Sequence, residues 1–87
     1  MDMDTLGKRL RERRVQAGVS QAEIARQTGM IQPDLSLLER GKKHVWVETL
    51  LRLADALDCS LDYLTGRTED PTPPTKRPRP RTAAPVS

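Results

Sequence analysis

Residues 20–40, SQAEIARQTGMIQPDLSLLER, decide the fold. Ser20 and Glu23 stand three apart, the spacing of a capping box, in which the hydroxyl accepts a first-turn N–H and the carboxylate reaches back to the cap. Ile24 and Ala25 follow on one helical face, and Gly29 supplies the left-handed residue that ends such a helix. Past the glycine, Pro33 falls in a first turn, where its missing N–H costs nothing. Ile31, Leu35 and Leu38 make an apolar stripe, and Gly41 closes the segment. The reading is a two-turn helix from Ser20 to Gly29, then a helix over residues 32–40. Two short helices joined by a tight glycine-containing turn form a helix-turn-helix, although spacing alone fits a plain helical bundle equally well.

The flanking sequence extends this pattern in both directions. A first helix is expected over residues 5–17, with Asp4 or Thr5 as its cap, Leu6 and Leu10 inward and Gly18 at its end. A fourth, over residues 47–57, carries Leu50, Leu53, Ala54 and Leu57 on one face with Leu51 beside them. A last short helix begins at Ser60, is anchored by Leu61 and Leu64, and stops at Gly66. No stretch alternates long enough for a strand. The fold class is therefore all-α, five helices within residues 4–66. After Gly66 the composition changes: six of the seven prolines lie between Pro71 and Pro85, and residues 67–87 read as a disordered, basic, proline-rich tail.

A chain of 87 residues with 36 % hydrophobic content and two aromatic residues makes one small domain without room for a large active-site cavity. Cys59 and His44 are the sole residues of their types, so an internal disulfide is excluded and no ligand set for a zinc site is left; no metal is expected. There is no nucleophile paired with a base and no phosphate-cradling glycine loop, so an enzyme, a cofactor and a small-molecule ligand are not expected. No apolar run reaches membrane-spanning or signal-peptide length. The cysteine usage points to a reducing, cytoplasmic setting. The net charge is +3, and it is uneven: residues 1–66 carry ten basic and ten acidic side chains, the tail five and two. Within the domain, the first helix holds Lys8, Arg9, Arg11, Arg13 and Arg14 against Glu12. Residues 48–62 hold Glu48, Asp55, Asp58 and Asp62 against Arg52, so the domain is polarised although it sums to zero.

The residues themselves carry a more specific signal than their spacing. The run Leu6-Gly7-Lys8-Arg9-Leu10-Arg11, then residues 18–25, then Leu35-Ser36 and Leu38-Glu39-Arg40-Gly41-Lys42, then residues 48–54, and finally residues 60–64 with Gly66-Arg67, closely resembles the Cro/repressor helix-turn-helix family across about three quarters of the chain. The resemblance implies a five-helix, lambda-repressor-like domain of bacterial or phage origin whose third helix enters the major groove of double-stranded DNA, usually as a homodimer on a pseudo-palindromic operator. Carried over residue by residue, it implies that Gln21 donates to a phosphate at a helix N-terminus and that Gln32 reads a base edge, since a glutamine amide pairs bidentately with adenine. Pro33 and Ser36 share that surface, and Arg40, Lys42 and Lys43 grip phosphates past the helix end. Arg14 and Glu39 stand where the family often has an ion pair tying helix one to helix three.

Rotating the third helix at about 100° per residue sets Leu37 far from the Leu35/Leu38 stripe, so it is expected to be exposed. There it meets a thymine methyl, touches a protein, or is one of the singly exposed leucines common on surfaces. The sequence departs from the family pattern at three places: Ile31 replaces a polar cap, Leu37 a longer polar side chain, and His44-Val45-Trp46-Val47 a Pro/Ser-type start to helix four. Trp46 either covers the core where short helices meet or forms a dimer contact with Val45, Leu61 and Tyr63. The tail run Lys76-Arg77-Pro78-Arg79-Pro80-Arg81 reads as an electrostatic arm, or else as a solubilising linker. It resembles a minor-groove hook that lacks the central glycine. The leading function is a transcriptional repressor. The alternative is an antitoxin or adaptor that uses the same fold to hold a protein partner through Leu37 or Trp46.

Overall fold

The computed structural model describes residues 2–73. Five helices follow one another: α1 (Met3–Gln16), α2 (Gln21–Thr28), α3 (Gln32–Glu39), α4 (Val47–Ala56) and α5 (Leu61–Leu64). No strand occurs among the described residues. The basic run beginning at Lys76 lies outside them.

Local chemistry sets most of the boundaries. The Ser20 hydroxyl accepts the Glu23 N–H at 3.1 Å and opens α2, and Gly29 ends it at φ +74°, a conformation that strains any residue with a Cβ. The Ser60 hydroxyl accepts the Tyr63 N–H at 3.0 Å and opens α5. α1 starts earlier than expected. Asp2, not Asp4 or Thr5, is its cap, its carboxylate accepting the Asp4 N–H at 3.0 Å and the Thr5 hydroxyl at 2.7 Å. The earlier start adds the residue that lets Met3 pack against the core.

The core is a leucine cluster: Leu6 and Leu10 from α1, Ile24 and Ala25 from α2, Leu35 and Leu38 from α3, Leu50, Leu53 and Ala54 from α4, and Leu64 from α5. Leu57 and Cys59 close it from the chain after α4. Each fully buried leucine contributes about 1.5–3 kcal/mol, and in so small a domain that sum is what outweighs chain entropy. Burial also pushes the Cys59 thiol up from its ordinary pKa, keeping it protonated.

Three apolar residues are placed otherwise than periodicity suggests. Ile31 is exposed, because it is the extended residue before α3, at φ −89° and ψ 145°, and a helical period does not extend to a residue outside the helix. Leu51 is exposed on the flank of α4, where no neighbouring helix covers it. Leu37 is half-buried rather than exposed. The chain doubles back at Gly41, and the Lys42 N–H donates to the Leu37 carbonyl at 2.9 Å, laying the following segment on the last turn of α3.

Residues 67–71, assigned from composition to the tail, instead form a strap over α1 and α5. The Arg67 N–H donates to the Asp62 carbonyl at 2.8 Å, and the Ser60 N–H to the Pro71 carbonyl at 2.9 Å. Arg9 holds the strap down: its guanidinium lies 4.3 Å over the Tyr63 ring and donates to the Tyr63 and Thr68 carbonyls at 2.5 and 2.8 Å and to both Glu69 carboxylate oxygens at 3.0 Å. Proline-rich composition conceals this because the acceptors are backbone carbonyls, which any residue supplies.

α1 crosses α3 at Gly7. A Cβ there would lie 2.5 Å from the Glu39 carbonyl oxygen and 2.7 Å from that of Leu38. Alanine favours a helix interior over glycine by about 1 kcal/mol, so the sign of the substitution reports the contact. Gly7→Ala is expected to lose about 2 kcal/mol of unfolding free energy in urea, whereas a gain would show that the two backbones do not meet. On the surface of α2, hydrogen bonds from Arg26 and then Gln27 lower the Glu23 carboxyl from 4.5 to about 2. A lowered carboxyl stabilises the folded state above its unfolded value and loses that contribution as pH falls. The support it gives α2 is therefore present above about 4.5 and lost only through about 2. An NMR titration of the Glu23 side chain should find its midpoint there, and a midpoint near the ordinary value would count against the Arg26 bond.

Candidate nucleic-acid interface

The surface around α2 and α3 is organised by one carboxylate. Glu39, whose side chain is 3 % exposed, accepts Arg14 Nε on Oε2 at 2.7 Å and Arg14 Nη2 on Oε1 at 3.0 Å, a two-pronged pair. Gln21 Nε2 donates to Oε1 at 3.1 Å, and Arg14 Nη1 adds a bond to the Val19 carbonyl at 3.0 Å. Arg14 is held protonated above its ordinary pKa, chiefly by its bond to Glu39. α1, the start of α2 and the end of α3 are thus tied at one point.

Outside this tie is a hollow of about 240 Å³ lined by Arg11, Arg14, Gln21, Ser36, Glu39 and Arg40. It brings together Gln21, Ser36 and Arg40 from two helices. Gln21 spends one of its two amide N–H donors on Glu39. Arg40 is exposed, with Nε resting on the Ser36 carbonyl at 3.3 Å. Arg11, not singled out as a contact from sequence, is exposed on the same rim. The signal that could have found it is its place three residues before Arg14, on the side of α1 that the ion pair turns toward α3.

The remaining candidates are placed differently. Gln32 and Pro33 are exposed in the first turn of α3, and Lys42 is exposed beyond its end. Lys43 turns back to Asp34 at 3.4 Å. Leu37 is half-buried and offers the surface only part of its side chain. Of the four residues expected at a dimer contact, Leu61, Tyr63 and Val45 are partly buried against the core, with Arg9 stacked on the Tyr63 ring. Trp46 is 85 % exposed, so it does not cover the core.

The basic run of α1 divides accordingly. Arg9 faces the strap and Arg14 faces Glu39, Arg13 is half-buried and donates to Gln16 at 3.3 Å, and Lys8 and Arg11 remain exposed.

An all-α domain with two short helices joined at a glycine turn, the second presenting a polar outer face, is a helix-turn-helix. The family model described as a helix-turn-helix domain matches residues 5–65, and the chain belongs to that family, in its Cro/repressor branch. It is 40 % identical over 65 residues to the HTH-type transcriptional regulator ImmR of Bacillus subtilis, covering 75 % of this chain and 51 % of that protein. The chain thus spans about half the length of that relative. Among solved structures it is similar to the restriction-modification controller protein C.AhdI from Aeromonas hydrophila, with 36 % identity, a TM-score of 0.69, and coverage of 72 % of this chain and 96 % of that one. It is also similar to the P22 c2 repressor protein in complex with a synthetic operator, with 37 % identity, a TM-score of 0.65, and coverage of 68 % and 89 %.

Removing the central carboxylate leaves Arg14 nearly enclosed, at 13 % side-chain exposure, without its charged partner. Glu39→Ala is expected to cost about 3 kcal/mol of stability in urea denaturation. In a double-mutant cycle, Arg14→Ala made in the Glu39→Ala background is expected to cost much less than in the wild type. Equal costs in both backgrounds would show the pair to be uncoupled.

Proposed function

We propose that this chain is a sequence-specific DNA-binding transcriptional regulator, a repressor that lies as a homodimer on a pseudo-palindromic operator with α3 of each copy in the major groove. The observation that carries the reading is the hollow where Gln21, Ser36, Arg40 and Arg11 converge beside the exposed first turn of α3. A phosphate needs several N–H donors from separate elements, and a major groove needs a helix whose polar residues stand clear of its own fold. This face supplies both. The P22 repressor structure, solved with an operator, supports the same use of the fold.

In this reading, the remaining N–H of Gln21 and the first-turn N–H groups of α2 take one phosphate. Arg11 and Arg40 neutralise the same strand, and Lys42 takes a phosphate past the end of α3. Gln32 reads a base edge, with Pro33 and Ser36 packed beside it. Lys43 contributes less than Lys42, because Asp34 already holds its charge. Few side chains of α3 can hydrogen-bond to bases, so much of the affinity comes from phosphates and falls steeply with salt. Repression follows from occupying a promoter, in a bacterial cytoplasm.

Selecting bound duplex from a random library and then measuring variants against the selected site tests this assignment. Gln32→Ala is expected to cost about 1–3 kcal/mol on that site and to relax preference at one base position in each half-site. Lys42→Ala is expected to weaken all duplexes alike and to lower the slope of log affinity against log salt by about one. Unchanged affinity in both variants would remove α3 from the interface, and failure of the wild type to select any duplex would favour the adaptor reading.

A further inference from the structure

The bare flank of α4 combines apolar and acidic side chains. Val47, Leu51 and Asp55 are spaced by four and share one side of the helix, and all three are exposed. Trp46, 85 % exposed, stands at the N-terminal end of this side as the extended residue before α4. The cations nearby are already engaged. Arg52, the one cation of α4, bonds Glu48 at 2.8 Å, and Lys43, which lines a groove with Trp46, is held by Asp34 at 3.4 Å. Asp55 makes no ion pair among the described residues. From end to end, the side is an aromatic ring, two aliphatic side chains and an unmatched carboxylate.

The strap delivers the rest of the chain to the acidic end of that side. The Ser60 N–H, four residues past the end of α4, donates to the Pro71 carbonyl at 2.9 Å, and Thr72 and Pro73 are still half-buried as the strap departs. Next in sequence, outside the described residues, comes Lys76-Arg77-Pro78-Arg79-Pro80-Arg81, four cations and two prolines.

We propose that this basic run docks back along α4 of its own chain, with Lys76 and Arg77 at Asp55 and the Pro-Arg repeat passing over Leu51 and Val47 to the Trp46 ring. The inference goes beyond the DNA-binding reading and does not depend on it.

Length and chemistry select this occupant. Trp46 to Asp55 is nine residues of α4, about 13 Å at the helical rise, and six residues of proline-rich extended chain cover about 15–19 Å. Residues 72–75 span about 12 Å in the same conformation, the width of one helix. They can therefore bring Lys76 round to Asp55 from either flank of α4. An unmatched carboxylate attracts a cationic segment and repels a phosphate backbone. Arginine stacks on the face of tryptophan, and proline-rich segments dock on exposed aromatic surfaces. Proline also limits the freedom that docking removes. Because the run is tethered, its effective concentration is in the millimolar range, enough to keep even a weak contact formed.

Trp46 is the only tryptophan in the chain, so its emission reports the contact directly. The full chain is compared with full chains carrying either Arg77→Ser, Arg79→Ser and Arg81→Ser together or Asp55→Lys, by Trp46 emission and acrylamide quenching over a wide dilution range and at rising salt. None of these side chains belongs to the core, so helical circular dichroism should be the same in all three. The wild type should emit further to the blue and be quenched about twofold or more weakly than either variant, at every dilution, since a tethered contact does not depend on concentration. Salt should move the wild type toward the variants and leave the variants where they are. Three results would overturn the proposal: equal quenching in the wild type and the arginine variant, an Asp55→Lys chain whose Trp46 is as protected as in the wild type, or protection that appears only with duplex. Protection that disappears on dilution would overturn it as well, and would give the face to a second copy.

Discussion

The position of the outward face depends on the Glu39 carboxylate. Helices of eight residues, such as α2 and α3, do not hold themselves in place, because hydrogen-bonded turns this short are marginal without tertiary support. Glu39 fixes them at one end by accepting Arg14 from α1 and Gln21 from α2. Gly7 fixes the approach distance by letting the α1 backbone rest against the Leu38 and Glu39 carbonyls. The leucine core supplies the free energy. The ion pair and the glycine supply the register, so α3 presents Gln32, Ser36 and Arg40 in one fixed relation to Gln21.

The same tie explains how a domain of zero net charge can present a surface suited to a polyanion. Two of the five basic residues of α1, Arg9 and Arg14, are spent holding the fold together. The acidic residues of α4 and α5 lie on other surfaces, away from the hollow, and the Glu23 carboxylate is engaged by Arg26. What remains near the hollow is Arg11 and Arg40, with the exposed Lys42 beyond the end of α3. Local placement of a few cations, not total charge, makes the face, and partners of this kind bind with a strong dependence on salt.

Much of this was legible in the sequence because the determinants are local. Ser20 with Glu23, Gly29, and Pro33 in a first turn specify where α2 and α3 begin and end, and the leucine periodicity specifies the inward faces. The structure departs from the sequence pattern where the outcome depends on what lies across space. Ile31 keeps the helical period in sequence, but it is the extended residue before α3. Leu51 sits beside the inward stripe of α4, and nothing in the sequence says which flank of that helix stays bare. The strap over residues 67–71 is not legible in sequence because Arg9 reaches its backbone carbonyls and the Glu69 carboxylate from more than fifty residues away. Trp46 shows the reverse case: hydrophobicity alone favours burial, yet it is the extended residue before α4 and stands outside the core.

The central claim is that duplex DNA meets the surface bounded by Gln21, Arg11 and the first turn and outer face of α3. Amide and side-chain NMR shift mapping of the full chain, titrated with a duplex that it selects, measures this directly. The expected result is a contiguous set of perturbations at Arg11, Gln21, Gln32, Ser36, Arg40 and Lys42, weakening together as salt is raised. Perturbations gathered instead on the outer side of α1 around Lys8 and Val15, or along α4 and α5, would contradict it.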